Sequence, residues 1–152
     1  MKIALLDYRK NYYTYQRAII DKVPQAEYTG VHDLFSISNR LARKINALAG
    51  RPLINTFNLN NQFQDFGFND YDLLHLFNGV SYARKPWVTG FETVVPRLSA
   101  VVTRHQGAQA GQIRFAGPVQ RAFQALAGEP CKALLPWSNN AALIQNDLLA
   151  EI

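Results

Sequence analysis

Short apolar runs separated by polar stretches predict several buried strands in this chain. The runs are bounded by turn residues and show no clean alternation of apolar and polar positions, which is typical of strands buried on both faces of a parallel sheet. They cover residues 2–6, 26–28, 52–57, 73–77, 86–91 and 131–136. A mostly parallel sheet is therefore expected.

Between these runs, apolar residues recur at helical spacing. The clearest stripe has steps of four, four and three residues and consists of Ile37, Leu41, Ile45 and Leu48. Ser36 or Ser38 is expected to cap this helix, and Gly50 to end it. Further helices are predicted after the first strand, from Pro118 to Gly128 and after Ser138. The segments 58–69 and 98–117 have no period and are expected to be irregular.

Strands and helices alternate along the whole sequence. This order predicts the α/β class, as a Rossmann-like three-layer α/β/α sandwich with a mostly parallel sheet. The chain has 152 residues and is 48% hydrophobic, which is the size of one ordinary domain with a sizeable core. We therefore expect a single domain that spans residues 1–152.

Polar residues follow the predicted strands at their carboxyl ends. In an open parallel sheet, ligands bind in the crevice beyond those ends. Glu92, which follows the run at 86–91, is the candidate catalytic residue, as a base or as an acceptor from sugar hydroxyls. The alternative is an ion pair of Glu92 with Arg97 or Lys85. The candidate substrate-binding residues are Tyr8, Arg9, Asn11, Tyr12, Asn78, Gly79, Ser81, Tyr82, Ser138 and Asn139.

The sequence offers little support for a metal or a standard nucleotide site. Asp70 and Asp72 form a D-x-D pair, but they precede the run at 73–77 and so belong to the opposite edge of the sheet. The three histidines lie far apart, and His75 is interpreted as a core or near-site histidine. Neither of the usual Gly-rich phosphate loops is present. No metal or bound cofactor is expected.

The basic charge of the chain indicates an anionic partner. The segment between Arg84 and Lys132 carries the whole formal net charge of +5, because it contains seven basic residues and only two acidic ones, and the rest of the chain is balanced. A phosphate group, an acidic polymer or an anionic membrane surface would match this charge. The alternative is a solvated basic face that keeps the protein soluble. Nucleic acid is not expected as a partner, because no recognised binding motif is present.

Cysteine content and the N-terminal run point to the cytoplasm. Cys131 is the one cysteine, so no disulfide within the chain is possible. The apolar run 2–6 is too short for a membrane span and lacks a signal cleavage site. We expect a cytoplasmic protein, or one held peripherally at the inner face of the membrane.

Three segments, in this order, resemble a known enzyme family. They are DYDLLHLFNG (70–79), KPWVTGFETVVPR (85–97) and CKALLPWSNNAALIQNDL (131–148). Together they resemble the N-terminal, acceptor-side domain of a GT-B-fold, retaining-type glycosyltransferase. In that family the strand in the second of these segments commonly ends in a His of the catalytic centre. This chain has Glu92 at that position.

The resemblance implies that the chain is the acceptor-binding domain of an enzyme that moves a sugar from a nucleotide-sugar donor to an acceptor glycan or lipid. In such enzymes the donor binds mainly to a second, C-terminal domain, which we expect to be absent from this chain. The isolated chain is then expected to be inactive, with a sugar acceptor and the missing C-terminal domain as its partners. The alternative is a non-enzymatic α/β module that binds a small ligand or a protein.

Overall fold

A computed structural model describes residues 1–6, 12–106 and 117–150. The strands are β1 (Lys2–Leu6), β2 (Glu27–Val31), β3 (Gln62–Phe63), β4 (Leu73–Phe77), β5 (Val80–Ser81), β6 (Trp87–Phe91) and β7 (Cys131–Pro136). The helices are α1 (Thr14–Arg17), α2 (Leu34–Ala49), α3 (Thr56–Asn60), α4 (Ser99–Gln106), α5 (Gly117–Ala127) and α6 (Asn139–Ala150).

Five strands form a parallel sheet in the order β2-β1-β4-β6-β7. Counted within this sheet alone, the order is 2-1-3-4-5, one of the two common doubly wound arrangements. The short strands β3 and β5 form a separate parallel pair. The predicted Rossmann-like α/β fold with a mostly parallel sheet is confirmed.

Apolar residues on both faces of the sheet are packed against helical segments. Ile3 and Leu5 cluster with Ile20, which directly follows α1 and its turn. On the other face, Leu74 and Trp87 belong to a larger cluster that includes residues of α4 and α5. Because successive residues of a strand point to opposite faces, strands buried in this way show continuous apolar runs in the sequence.

Helix α2 begins earlier than predicted and is attached to the fold by polar side chains. Its N-cap is Asp33 and not Ser36 or Ser38: the carboxylate accepts from the backbone N–H of Ser36 at 2.8 Å and from that of Gln64 at 2.8 Å. Burial raises the pKa of Asp33, although these N–H donors act in the opposite direction. Gly50 ends the helix in the left-handed conformation, as predicted.

Two asparagines continue this attachment along α2. The amide of Asn39 donates to the Asn60 side chain, and Asn46 donates to and accepts from the backbone of Ile54, both at 2.9 Å. We call Asp33, Asn39 and Asn46 the polar seam. The seam ties α2 to the segment 54–64, which leads through α3 into β3.

The apolar stripe of α2 faces solvent. Ile37 and Leu41 are each 60% exposed and Leu48 is 90% exposed, whereas the buried residues of the helix are Asn39 and Ala42. This is the reverse of the usual surface helix, whose apolar stripe faces the core. The polar seam accounts for the reversal, because it lies on the side of the helix opposite the stripe.

Three sequence-based expectations about local structure are wrong. Residues 52–57 do not form a strand, because the backbone of Ile54 is hydrogen-bonded by Asn46 and because Asn55 caps α3. Part of the segment 98–117 is the helix α4, where Asn58 accepts from the Ser99 N–H at 2.7 Å. Within the segment 58–69, β3 replaces part of the expected loop.

Within the described residues, no helix is both long enough and apolar enough to cross a membrane.

We expect Asp33→Ala to lower the free energy of unfolding by about 2 kcal/mol, because the helix cap and the Gln64 N–H lose their acceptor together. Urea denaturation measures this change. Asp147→Ala, at an exposed position of α6, serves as the control and should change stability little. Equal losses for the two variants would contradict the role assigned to Asp33.

Candidate functional site

The carboxyl edge of the sheet contains a point at which the strand order reverses. From β1 the chain passes to β2 on one side, and β4 then pairs with β1 on the other side. In doubly wound sheets, ligands bind in the crevice at this point. A cleft lies here.

The cleft has a volume of about 530 Å³, within the range of roughly 300–1,000 Å³ that is usual for small-molecule sites. Leu6, at the end of β1, lines it together with Leu76 and Phe77, at the end of β4. Polar side chains of α2 and the segment 60–62 complete the lining. We call it the β1–β4 cleft.

Amide side chains form one part of the lining of the cleft. Asn39 comes from α2, and Asn60, Asn61 and Gln62 come from the chain between α3 and β3. Asn39 is only 6% exposed. Its side-chain nitrogen donates to Asn60, while its oxygen Oδ1 is buried without a hydrogen-bond partner in the described structure. A buried acceptor of this kind is normally satisfied.

Two arginines form the charged part of the cleft. Arg40 and Arg43, both exposed on α2, line it together with Ser36 of the same helix. No carboxylate and no imidazole is found among the described residues that line it. The cleft can therefore bind an anion through guanidinium groups.

Among the predicted binding residues, Tyr12 and Gly79 line this cleft. The hydroxyl of Tyr12 donates to the carbonyl of Leu6, and its ring lies edge-on to Phe77 with centroids 5.1 Å apart. Tyr8, Arg9 and Asn11 lie outside the described residues.

Asn78 connects the ends of β4 and β6. It is buried and has φ of 60°, a left-handed conformation that Asn tolerates better than most residues. Its N–H donates to the carbonyl of Gly90 at 2.7 Å, and its Oδ1 accepts from the N–H of Glu92 at 3.2 Å. In this structure the side chain of Asn78 thus holds two strand ends together.

Glu92 follows β6 at the carboxyl edge but is not among the residues that line the β1–β4 cleft. Its Oε2 lies 3.8 Å from Nη1 of Arg97, with both side chains more than a third exposed. This is the ion pair with Arg97 that the sequence analysis gave as the alternative to a catalytic role of Glu92. A pair this exposed contributes little to stability.

Ser81 is buried and Tyr82 is partly buried, because the segment between β4 and β6 contains the strand β5. The hydroxyl of Ser81 accepts from the Ala83 N–H at 3.1 Å. The Tyr82 hydroxyl donates to Gln62 at 2.8 Å, and the guanidinium of Arg121 lies 4.6 Å from the centre of its ring. Burial raises the pKa of Tyr82. Tyr82 thus positions Gln62, which lines the cleft, by a hydrogen bond.

Ser138 and Asn139 lie beyond β7, at the start of α6, and both are exposed. Ser138 accepts from the Ala141 N–H at 3.1 Å and so caps the helix, as predicted. Asn78, Glu92 and Ser138 therefore follow three parallel strands at one edge of the sheet, but none of them lines the cleft.

The cleft residues of α2 and of the segment 60–62 were not identified from the sequence. The sequence feature that could have indicated them is a polar stripe on α2. It consists of Ser36, Asn39, Arg40 and Arg43, at steps of three, one and three. A polar stripe on a surface helix normally faces solvent. Only the position of the polar seam shows that it faces a cleft.

The basic segment between Arg84 and Lys132 does not form one continuous patch among its described side chains. Lys85 lies over the ring of Tyr71, Arg97 near Glu92, Arg121 over Tyr82, and Lys132 beside Glu129. These four charges are each engaged locally, which favours the interpretation as a solvated basic face for this segment.

The D-x-D pair lies at the amino edge of the sheet, as expected from its position. Asp70 pairs with the Lys2 side chain, and Asp72 accepts from the Lys2 backbone N–H at 2.7 Å. Within the described residues, no group of three or more His, Cys, Asp or Glu side chains could hold a metal ion.

No family model, curated protein or solved structure matches this chain. Its function has to be argued from the geometry of the site.

His75 makes folding stability depend on pH. Burial lowers its pKa below the usual value of 6.5, so the folded protein keeps the imidazole neutral while the unfolded chain is protonated more readily. The contribution of neutral His75 to folding stability is fully present above pH 6.5. It is lost as the pH falls from there through the lower pKa of the folded state.

We expect His75→Leu to flatten the decrease in unfolding free energy between about pH 7 and about pH 5. Urea denaturation at several pH values measures this slope. The exposed His32 provides the control, because His32→Gln should leave the slope as in the original chain. An unchanged slope in His75→Leu would show that His75 is not the titrating group.

Proposed function

We propose that this chain binds, in the β1–β4 cleft, a small ligand that carries both hydroxyl groups and an anionic group. The observation that carries the proposal is the side chain of Asn39. Asn39 lines the cleft, and its side-chain oxygen is buried without a hydrogen-bond partner in the described structure. Leaving a buried acceptor unsatisfied costs about 1–3 kcal/mol, which a hydroxyl group of a ligand would recover.

The arginines add the second half of the recognition. Arg40 and Arg43 lie one turn or less from Asn39 on the same helix, so they can reach the same ligand. A guanidinium group binds phosphate or carboxylate through two parallel hydrogen bonds. The absence of a carboxylate from the described lining leaves this positive charge uncompensated inside the cleft.

A phosphorylated or acidic sugar has this combination of groups. The proposal is therefore that the chain is an acceptor-binding domain of a glycosyltransferase, as its sequence resemblance implies, with a sugar acceptor in the cleft. The nucleotide-sugar donor would be bound by a further domain. A cytoplasmic location belongs to the same proposal, and it suits the single thiol of Cys131, whose pKa is raised by burial.

A non-enzymatic small-ligand-binding module is the second candidate. One observation favours it: the described lining of the cleft contains no carboxylate or imidazole that could act as a base. Glu92, the catalytic candidate at the carboxyl edge, does not line the cleft and is paired with Arg97.

We expect glucose 6-phosphate to bind more tightly than glucose or inorganic phosphate, because it uses both parts of the cleft. Titration followed by NMR shifts measures the three affinities. Arg43→Gln should weaken binding of glucose 6-phosphate about tenfold and leave glucose unaffected. Asn39→Ala should weaken both sugars and leave phosphate unaffected.

Arg84→Gln is the matched control, since Arg84 is an exposed arginine that does not line the cleft. Thermal melting of each variant verifies folding. The binding proposal is abandoned if Arg43→Gln and Arg84→Gln change the affinity for glucose 6-phosphate equally, or if none of the three probes binds.

The contribution of Glu92 to acceptor binding separates the two candidates. NMR titration of the chain with sugar acceptors measures it, since the isolated chain is expected to form no product in either case. The acceptor-domain candidate requires that Glu92→Gln weaken the binding of a sugar acceptor about tenfold, because Glu92 then accepts from sugar hydroxyls, while Arg97→Gln retains the affinity. An unchanged affinity in Glu92→Gln is the result expected of the module.

A further inference from the structure

The exposed stripe of α2 is a feature of the described structure that neither the core nor the cleft explains. Ile37, Leu41, Ile45 and Leu48 lie along one side of the helix and are 36–90% exposed. Single exposed apolar residues are ordinary, but a contiguous row of four large ones marks an interaction surface.

Basic residues border this stripe. Arg40 and Lys44 lie one helical turn apart directly beside it, and both are exposed. The helix contains no acidic residue, and Arg51 follows shortly after its end. An apolar face flanked by Lys and Arg is the pattern of helices that lie in the interface of an anionic membrane.

The loop next to the start of α2 adds exposed aromatic side chains. Phe66 and Phe68 are 70% and 85% exposed. Their loop is attached to the segment that enters α2, through the hydrogen bonds Gln64 to Asp33 and His32 to Asn69. Aromatic side chains are common on the membrane-facing side of interfacial segments.

We propose that α2 docks this protein onto an anionic lipid surface, with the stripe buried at the level of the headgroups and with Arg40 and Lys44 facing lipid phosphates. The charge pattern favours a membrane over a second copy of the chain. Two α2 helices packed stripe to stripe would bring their basic borders together, and α2 has no acidic side chain to compensate them. Lipid phosphates supply the opposite charge.

Docking in this way goes beyond ligand binding and does not depend on it. Because Arg40 borders the stripe and also lines the β1–β4 cleft, the docked protein would hold the mouth of the cleft beside the lipid headgroups.

The test is co-sedimentation of the full chain with vesicles of phosphatidylcholine alone and of phosphatidylcholine mixed with phosphatidylglycerol. We expect binding to the mixed vesicles, weakened by added salt, and little binding to phosphatidylcholine alone. Leu41→Ser should reduce the partition coefficient about tenfold. Lys44→Gln should reduce it about fivefold.

Each variant has a matched control elsewhere on the surface. Leu143 of α6 is 62% exposed, close to the 60% of Leu41, so Leu143→Ser should bind vesicles like the original chain. Lys22 is exposed in the turn after α1, and Lys22→Gln should bind equally well. Circular dichroism melting verifies that all four variants fold.

Equal vesicle binding by Leu41→Ser and Leu143→Ser would overturn the proposal, as would equal binding to both vesicle compositions. Light scattering tests the competing partner. A dimer of the original chain that Leu41→Ser dissociates would show that the stripe binds a second copy, and the membrane proposal would then be rejected.

Discussion

The orientation of α2 about its own axis is the constraint on which the rest of this structure depends. That orientation is set by hydrogen bonds of the polar seam, Asp33, Asn39 and Asn46, to the segment 54–64. A helix attached through its apolar side would bury the stripe and turn the seam outward. Here the seam is inside, so that one side of the helix lines the β1–β4 cleft and another carries Ile37 and Leu41 into solvent.

Asn39 belongs both to the seam and to the cleft. Its side-chain nitrogen attaches α2 through Asn60, while its oxygen is buried without a partner in the described structure. A ligand that satisfies this oxygen would therefore also stabilise the attachment of the helix, and by mass action it would stabilise the folded chain. The parallel sheet provides the setting, since β1 and β4 bring their carboxyl ends together where the strand order reverses.

The sequence predicts the sheet well, because each buried strand is a short apolar run and this signal is local. It predicts the end of α2 at Gly50 and the cap of α6 at Ser138 for the same reason. It fails where a distant side chain decides the local structure, as when Asn46 binds the backbone of Ile54 or Asn58 that of Ser99. The cleft was missed for a related reason. The apolar stripe of α2 predicts that this side of the helix faces the core, whereas it faces solvent. No local sequence pattern shows that the hydrogen bonds of the polar seam set the orientation of the helix instead.

The polar seam also gives α2 a temperature response different from that of the core. Apolar clusters such as the one around Trp87 and Leu74 lose driving force on cooling, because burial of apolar surface is entropic near room temperature. Hydrogen bonds between amides and backbone do not share this weakening. On cooling, the packing of the apolar core should therefore weaken before the hydrogen bonds that attach α2 to the segment 54–64. The part of the cleft that α2 forms should then stay folded at temperatures at which the core is already destabilised.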